Sequence, residues 1–273
     1  MKSAVTPLTI ETPASLVDAL ALMRDRTLVP IAGATDLYVG LNFGTLAAQH
    51  FIDITRLAEL KGITEANDVL VIGAGTSYTS IMRSPVVQRR LPMLVEAASQ
   101  VGGVQIQNRG TLGGNLANGS PAGDSLPVLA AADAVIVIHG SGGERRVPFG
   151  SFYTGYRATV LKPHELIVSV EIPRVDGVQW FRKVGTRAAQ AISKLVVAGV
   201  RAPVPRIAFG SVAATTVRVP RTEAALASGA SIEEAANVLE AEITPIDDIR
   251  STADYRRKVA SNLLRRFWAD TQG

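Results

Sequence analysis

Residues 105–133 read QIQNRGTLGGNLANGSPAGDSLPVLAAAD, and this stretch has the densest run of small and hydrogen-bonding residues in the chain. Its glycines allow backbone conformations and close approaches that a Cβ atom would forbid. Its Thr, Asn, Ser and Asp side chains supply hydroxyl, amide and carboxylate groups. Such a stretch can bind a polar ligand with its own N–H groups. It is equally typical of a long glycine-rich surface connection with no ligand, so composition alone leaves both interpretations open.

The overall composition predicts an ordinary globular protein. At 273 residues the chain can form one large domain or two smaller ones with a substantial core. The hydrophobic fraction of 47% and the charged fraction of 19% argue against a disordered or fibrous chain. The net charge is only +4 and the basic residues are scattered, which argues against a nucleic-acid-binding protein.

The absence of cysteine excludes several kinds of site. A chain without cysteine has no disulfide, no thiolate metal site and no iron–sulfur cluster of the usual type, so any such cluster must belong to another chain. The N-terminus lacks the apolar core of a signal peptide. The most apolar run, residues 126–138, is too short to span a membrane. We therefore expect a cytoplasmic protein without a membrane span.

The order of secondary-structure signals predicts an α+β fold. A helix with Thr12 as its cap and Pro13 at its first position should end near Arg26 and lead into a strand at residues 28–32. Further strands and helices follow in an irregular rather than alternating order, which argues against a doubly wound sheet. Two helices, residues 231–242 with Ser231 as the cap and residues 253–269, close the chain.

Sequence patterns of hydrolases, metal sites and phosphate-binding P-loops are missing. The three histidines are not accompanied by a GxSxG elbow, and HExxH, Walker A and a complete GxGxxG are absent. Two small-residue turns remain, PIAGATDL (residues 30–37) and RGTLGGNLANGSPAGD (residues 109–124). Two converging turns can present N–H donors to a diphosphate, with amide and carboxylate side chains meeting sugar hydroxyls. This pattern indicates a dinucleotide without saying which one.

These two turns closely resemble the first and second FAD motifs of the flavin subunits of molybdenum hydroxylases, the family of xanthine dehydrogenase and carbon monoxide dehydrogenase. Residues 155–173, 181–199 and 256–267 are also similar to the family, so the likeness covers essentially the whole chain. The resemblance implies a PCMH-type FAD-binding domain at residues 1–173, with subdomains of about 1–57 and 58–173, as in vanillyl alcohol oxidase. A small α+β C-terminal domain, residues 174–273, should follow.

The resemblance also implies an electron-transfer role. In the family a molybdenum-pterin subunit hydroxylates the substrate, and electrons pass through two [2Fe–2S] clusters on a small subunit. FAD then delivers them to NAD, oxygen, a quinone or another acceptor. We accordingly expect an oxidoreductase subunit in a dimer of heterotrimers, with a xanthine dehydrogenase-like complex preferred. A free-standing FAD-dependent oxidase, and a scaffold that has lost FAD, are the alternatives.

The motifs assign cofactor-binding residues, whereas no catalytic or metal-binding residue is expected in this chain. Around the pyrophosphate and adenosine the resemblance places Ala32, Gly33, Ala34, Thr35 and Asp36. Around the other face of the diphosphate, the ribityl chain and the flavin it places Thr111, Gly113, Gly114, Asn115, Asn118 and Asp124. Ile167 matches a position that packs on the isoalloxazine ring, and Lys183 one near the polar edge of that ring.

Three departures from the family pattern accompany these assignments. Ala34 stands where the family has its second glycine, and we expect binding to survive if this residue has a negative φ. The segment AAQAI after Arg187 lacks the acidic residues of several members, so acceptor preference does not transfer. The RAPVP turn, residues 201–205, looks shorter than the family's hairpin.

Overall fold

The structure is a computed structural model that describes residues 8–188 and 190–272, and it has the predicted α+β fold. In these residues the helices are α1 (Leu16–Asp25), α2 (Leu37–Phe43), α3 (Tyr78–Arg83), α4 (Pro85–Arg90), α5 (Pro92–Ser99), α6 (Val104–Arg109), α7 (Leu112–Asn118), α8 (Leu126–Ala131), α9 (Pro220–Ala227), α10 (Ile232–Glu242) and α11 (Ala253–Asp270). The strands are β1 (Thr9–Glu11), β2 (Val29–Ile31), β3 (His50–Asp53), β4 (Ile63–Ala66), β5 (Val69–Gly73), β6 (Val135–Gly140), β7 (Gly143–Pro148), β8 (Tyr153–Gly155), β9 (Ala158–Thr159), β10 (Leu166–Ile172), β11 (Val178–Val184), β12 (Leu195–Arg201), β13 (Arg206–Gly210) and β14 (Val217–Arg218).

The N-terminal part is a small parallel sheet, in the order β1-β3-β2, with α1 packed beside it. The helix begins later than predicted, because its cap is Ser15 rather than Thr12, and Pro13 precedes the helix. The Ser15 hydroxyl accepts a hydrogen bond from the N–H of Asp18 at 3.1 Å, which satisfies a donor of the first turn. Thr12 is thus left outside the helix.

An antiparallel sheet in the order β4-β5-β10-β6-β7 forms the centre of the molecule. Helices α3, α4, α5, α7 and α8 contribute to the apolar core on one of its faces. On the opposite face, Val137, Leu166 and Val168 join the core of the small N-terminal sheet. The two sheets therefore share a core, and the turn after β2 is brought next to the glycine-rich stretch.

The glycine-rich stretch is largely helical, contrary to its interpretation as a long binding loop. Helix α7 lies in its middle, anchored by the fully buried side chains of Leu112 and Leu116. Thr111 caps its N-terminus, and Gly119, with φ of 59°, ends it in the left-handed conformation. Burial of two leucines and both caps outweighs the low helix propensity of the glycines.

The C-terminal part is the antiparallel sheet β11-β12-β13-β14 with helices α9 to α11 on one face. Its other face, including Phe181 and Val196, packs into the core formed with α5 and α8. The predicted capping box is confirmed, because Ser231 and Glu234 bond to each other's backbone N–H groups. None of the helices in the described ranges is long and apolar enough to cross a membrane.

Candidate functional site

A cleft of three connected recesses lies between the N-terminal sheet and the central part of the molecule. The central recess, of about 420 Å³, is lined by Val29, Pro30, Ala32, Gly33, Ala34, Thr35, Asp36, Leu37, Tyr78, Val101, Ile106, Gly110, Thr111, Gly114, Asn115, Ala117 and Asn118. The apolar recess, of about 240 Å³, is lined chiefly by Met23, Leu28, Ile54, Leu161, Leu166 and Ile167. It shares Pro30, Ala32, Gly114 and Ala117 with the central recess. The basic recess, of about 410 Å³, contains Lys61, Ser77, Ser80, Asn108 and Arg109 and shares Ala32, Gly33 and Thr111 with the central one. Because the three recesses share lining residues, they form one cleft with both polar and apolar walls, as a ligand with polar and apolar parts requires.

Nearly all of the predicted cofactor residues line this cleft. Those in the central recess are Ala32, Gly33, Ala34, Thr35, Asp36, Thr111, Gly114, Asn115 and Asn118. Gly113 and Ile167 line the apolar recess. The predicted residues Asp124 and Lys183 line none of the three recesses.

The turn after β2 carries backbone donors without partners. Within residues 8–188 and 190–272, the N–H groups of residues 33–36 donate no hydrogen bond to the protein. These consecutive groups belong to residues that line the central recess. Adjacent N–H groups around a left-handed residue form an anion-binding concavity, so this turn suits a phosphate group.

Gly33 holds this turn against the glycine-rich stretch. A Cβ atom at Gly33 would lie 2.0 Å from the carbonyl oxygen of Arg109 and 2.9 Å from the Cα atom of Gly110. Both are backbone atoms, so they cannot move aside as a flexible side chain would. The missing Cβ at Gly33 is therefore what lets the two cofactor motifs touch.

Ala34 has a positive φ of 60°, so the condition under which we expected its methyl group to be harmless is not met. The left-handed region costs a residue with a Cβ atom about 1 kcal/mol or more. The surrounding turn holds Ala34 there although alanine disfavours it. The strain comes from the Cβ atom of Ala34, because glycine adopts this conformation without it.

Replacing Ala34 by glycine should therefore stabilise the protein. We expect Ala34→Gly to raise the free energy of unfolding by about 0.5–1 kcal/mol, because relief of strain exceeds the added entropy of the unfolded chain. Urea unfolding of the full chain measures the change. Ala47→Gly, in the exposed connection before β3, is the control and should be neutral or destabilising; equal effects of the two substitutions would contradict the strain.

Helix α7 allows a ligand in the cleft to approach its surface closely, but its first backbone N–H groups are not free to bind that ligand. Its first N–H groups are already used within the protein: those of Leu112, Gly113 and Gly114 donate to Thr76 O, Ala74 O and Thr111 Oγ1. The N–H groups of residues 112–114 are therefore not available to a ligand, whereas the N–H group of Thr111, which also lines the central recess, donates no hydrogen bond within residues 8–188 and 190–272. The second motif brings the helix surface and its side chains to the ligand.

The two glycines at the start of α7 have different surroundings. A Cβ atom at Gly113 would lie 2.6 Å from the Cβ of Ala74, so this glycine is needed for packing within the protein. A Cβ atom at Gly114 would meet only the hydroxyl oxygen of Thr111, at 2.9 Å, and would otherwise point into the open cleft. Gly114 is therefore the position where a side chain would take ligand space.

Asn115 is held by buried hydroxyl groups. Ser125 donates to the Asn115 Oδ1 atom at 2.8 Å, and the hydroxyl groups of Tyr78 and Ser125 are 3.2 Å apart. Burial raises the pKa of Tyr78, so its hydroxyl remains protonated. Because the oxygen of Asn115 is occupied, its NH₂ group is the end left to serve as a donor in the central recess.

Asp124 and Lys183 form a buried ion pair. The Lys183 Nζ atom lies 2.7 Å from Asp124 Oδ2 and donates to the Gln100 carbonyl oxygen at 2.9 Å, with side-chain exposures of 7% and 9% for the pair. Ser193 donates to the second carboxylate oxygen at 2.7 Å. Burial raises the pKa of Asp124, and Lys183 and Ser193 act in the opposite direction. The pair joins the C-terminal sheet to the end of the second motif.

Removal of Lys183 should destabilise the fold in a pH-dependent manner. Lys183→Met leaves a buried carboxylate without its cation, and we expect a loss of about 3 kcal/mol in the free energy of unfolding at neutral pH. The pKa of Asp124 in the folded variant then rises further above its unfolded value, so the folded state binds more protons. The deficit should accordingly be complete above the folded pKa and shrink as the pH is lowered.

Thermal unfolding across pH tests this expectation, with Lys258→Met on the exposed side of α11 as the control. A deficit that stays constant from neutral to acid pH would contradict the role of the Asp124 carboxylate. A deficit no larger than that of the control would contradict the ion pair itself.

Two family models match successive parts of the chain. Residues 6–175 match the FAD binding domain in molybdopterin dehydrogenase, and residues 181–271 match the CO dehydrogenase flavoprotein C-terminal domain. The chain is 33% identical over 269 residues to the carbon monoxide dehydrogenase medium chain of Hydrogenophaga pseudoflava, covering 93% of each chain. It is 39% identical over 162 residues to the xanthine dehydrogenase FAD-binding subunit of Escherichia coli O157:H7, covering 59% of this chain and 56% of the relative.

Solved structures agree closely with the fold. Carbon monoxide dehydrogenase from Hydrogenophaga pseudoflava superposes with a TM-score of 0.90 at 32% identity, covering 96% of both chains. Quinoline 2-oxidoreductase from Pseudomonas putida 86 superposes with a TM-score of 0.92 at 25% identity, covering 97% of both chains.

Proposed function

The chain belongs to the FAD-binding family of molybdopterin dehydrogenases, and from this membership we propose that it is the electron-transfer flavin subunit of a molybdenum hydroxylase complex. It is a subunit of an oxidoreductase, and its cofactor is FAD. The observation that carries the proposal is the cleft. The N–H groups of residues 33–36, which have no acceptor within residues 8–188 and 190–272, belong to the same central recess as Gly114.

The residues of the cleft fit FAD in character. The free N–H groups of residues 33–36 would bind the diphosphate as a concavity of backbone dipoles. Asn115 and Asn118 would bind polar atoms of the ribityl chain or flavin, and Ile167 in the apolar recess would pack against the isoalloxazine ring. The basic recess would accept the adenosine end. Bound FAD supplies one- and two-electron chemistry, while the chain orients it and limits its exposure to water.

The role of the buried Asp124–Lys183 pair is then to hold the second motif in place. Asp124 ends that motif, and Lys183 and Ser193 belong to the C-terminal sheet. Gln100, whose carbonyl oxygen accepts from Lys183, precedes Val101 in the wall of the central recess. We assign both charged residues to positioning of the cleft.

We further propose that this chain transfers electrons from [2Fe–2S] clusters of a small subunit to NAD, oxygen or a quinone, beside a molybdenum-pterin large subunit. The described residues contain no cluster of His, Asp or Glu side chains suited to a metal ion, and the chain has no cysteine. Helix α2 has the character of a surface that a partner subunit covers. None of its residues is buried, and the large apolar side chains of Tyr38, Val39 and Phe43 are exposed. The relatives named as medium chains are parts of larger enzymes.

Isolation of the tagged full-length chain from its native host tests this function. We expect it to carry FAD and to be accompanied by two further polypeptides that contain molybdenum and iron. A chain that is isolated alone and oxidises an alcohol or aldehyde with oxygen would identify a free-standing oxidase. A colourless chain that cannot be reconstituted with FAD would identify a scaffold.

A further inference from the structure

Arg157 lies outside both FAD motifs and contacts two side chains that line the central recess. It lies in the two-residue turn between β8 and β9. Its Nη1 atom donates to Asn118 Oδ1 at 2.8 Å and lies 3.8 Å from Asp36 Oδ2. Asn118 Nδ2 is 3.4 Å from Asp36 Oδ1, so the three side chains connect the first motif to the second.

The backbone of Arg157 adopts a strained conformation. Its φ is 52°, in the left-handed region where glycine, asparagine or aspartate is favoured. Residues with a Cβ atom are strained in this region, and such strain persists where the surrounding structure or the function of the side chain requires it. Glycine would form the same turn without strain, so the backbone conformation does not explain the presence of an arginine at this position.

The hairpin that carries Arg157 is fixed to helix α7. The Tyr153 hydroxyl donates to the Leu116 carbonyl oxygen at 3.0 Å. A Cβ atom at Gly119 would lie 3.3 Å from Arg157 Cα and 3.2 Å from the Tyr153 ring, so the absence of a side chain there permits the contact. The guanidinium group is thereby held at a defined place beside the end of the helix.

This placement determines which end of the Asn118 amide faces the cleft. A guanidinium group can only donate hydrogen bonds, so the oxygen of Asn118 must face Arg157. The NH₂ group then points toward Asp36 and the central recess. Asn118 is thus presented to a ligand as a hydrogen-bond donor.

Arg157 also offsets the charge of Asp36. The Asp36 carboxylate is 59% exposed, does not cap helix α2, and belongs to the turn whose free N–H groups suit a diphosphate. An uncompensated carboxylate in that turn would repel a diphosphate, and the nearby guanidinium group reduces this repulsion. The 3.8 Å separation leaves the carboxylate oxygens available to a ligand hydroxyl.

We propose that Arg157 is a positioning residue for FAD, which orients the Asn118 amide and neutralises Asp36 in the central recess. This inference rests on the proposed function. Neither FAD motif contains Arg157. Its two expected effects, on the orientation of the Asn118 amide and on the charge of Asp36, can be separated by mutation.

Fluorescence titration of the deflavinated full chain with FAD tests the proposal through the dissociation constant, without an activity assay. We expect Arg157→Gly to raise this constant about tenfold, because a charge-assisted hydrogen bond is lost and Asp36 is left uncompensated. The same variant should keep or raise the thermal midpoint of the apo chain, since glycine relieves the strain at φ of 52°. Arg174→Gln, at an exposed arginine paired with Asp176, removes the same charge elsewhere and should leave the constant unchanged.

The double variant Arg157→Gly, Asp36→Asn isolates the charge effect. We expect it to bind FAD more tightly than Arg157→Gly alone, and added salt to narrow the difference between them. An unchanged dissociation constant for Arg157→Gly overturns the proposal, and a failure of Asp36→Asn to rescue overturns its electrostatic part. A wild-type chain that does not bind FAD overturns the proposed function instead.

Discussion

Gly114→Val yields a folded chain that does not retain FAD. The new side chain projects into the central recess, since a Cβ atom at this position meets only the Thr111 hydroxyl before reaching open space. A steric conflict of roughly 3 kcal/mol or more with the cofactor raises the dissociation constant by at least about a hundredfold. Flavin absorbance of the purified protein, followed by titration with FAD, measures the loss.

The fold should tolerate this substitution far better than the cofactor does. Only the N-cap hydroxyl of Thr111 must adjust, and replacement of a helical glycine offsets part of that cost. Gly142→Val, at an exposed turn where a Cβ atom meets nothing within 4 Å, is the matched control and should keep full flavin content. Normal FAD retention by Gly114→Val would contradict the location of the cofactor.

Gly33→Ala should damage the fold itself. The added methyl group would lie 2.0 Å from the carbonyl oxygen of Arg109 and 2.6 Å from its carbonyl carbon, and backbone atoms can yield only by separating the two motifs. We expect a loss of about 3 kcal/mol or more in the free energy of unfolding, together with loss of FAD, because overpacking here moves whole segments. Urea unfolding of the apo chain measures the first effect independently of the second.

The control for Gly33→Ala lies in the next element of the chain. A Cβ atom at Gly40 in helix α2 would make ordinary contacts of 3.7 Å with Leu46 and Thr45. Gly40→Ala should therefore be neutral or slightly stabilising through its helix propensity. If Gly33→Ala unfolds at the same urea concentration as this control, the tight contact between the two motifs does not exist in solution.

The sequence could predict those features that depend on local patterns. Runs of β-branched residues located the central strands, and the Ser231–Glu234 spacing located a capping box that is present. The two FAD motifs, and the cleft residues they named, could be recognised because their glycines and polar residues occur at fixed spacing. Their roles as contacts of FAD remain a proposal.

Features that depend on tertiary packing could not be predicted. Helix α7 forms because Leu112 and Leu116 are buried, although its glycines disfavour a helix. The positive φ of Ala34 runs against the preference of alanine, and the turn imposes it. Arg157 is far in sequence from both residues it contacts, so no spacing rule connects them.

The buried ion pair of Asp124 and Lys183 could not be predicted either, because the two residues are far apart in the sequence. The resemblance assigns Asp124 and Lys183 to the cofactor, and the structure shows that they bond to each other across the boundary between the central and C-terminal sheets. A charge needs a partner when it is buried, but the sequence does not say which partner. Only the packing of the C-terminal sheet identified it.

Hydrogen exchange of the backbone amides at residues 33–36, with and without FAD, tests the central claim most directly. In the apo chain these N–H groups have no acceptor in the described part of the protein and should exchange rapidly. We predict strong protection of this turn when FAD binds the wild-type chain, and none when FAD is added to Gly114→Val. Stoichiometric FAD binding that leaves exchange at residues 33–36 unchanged would contradict the account.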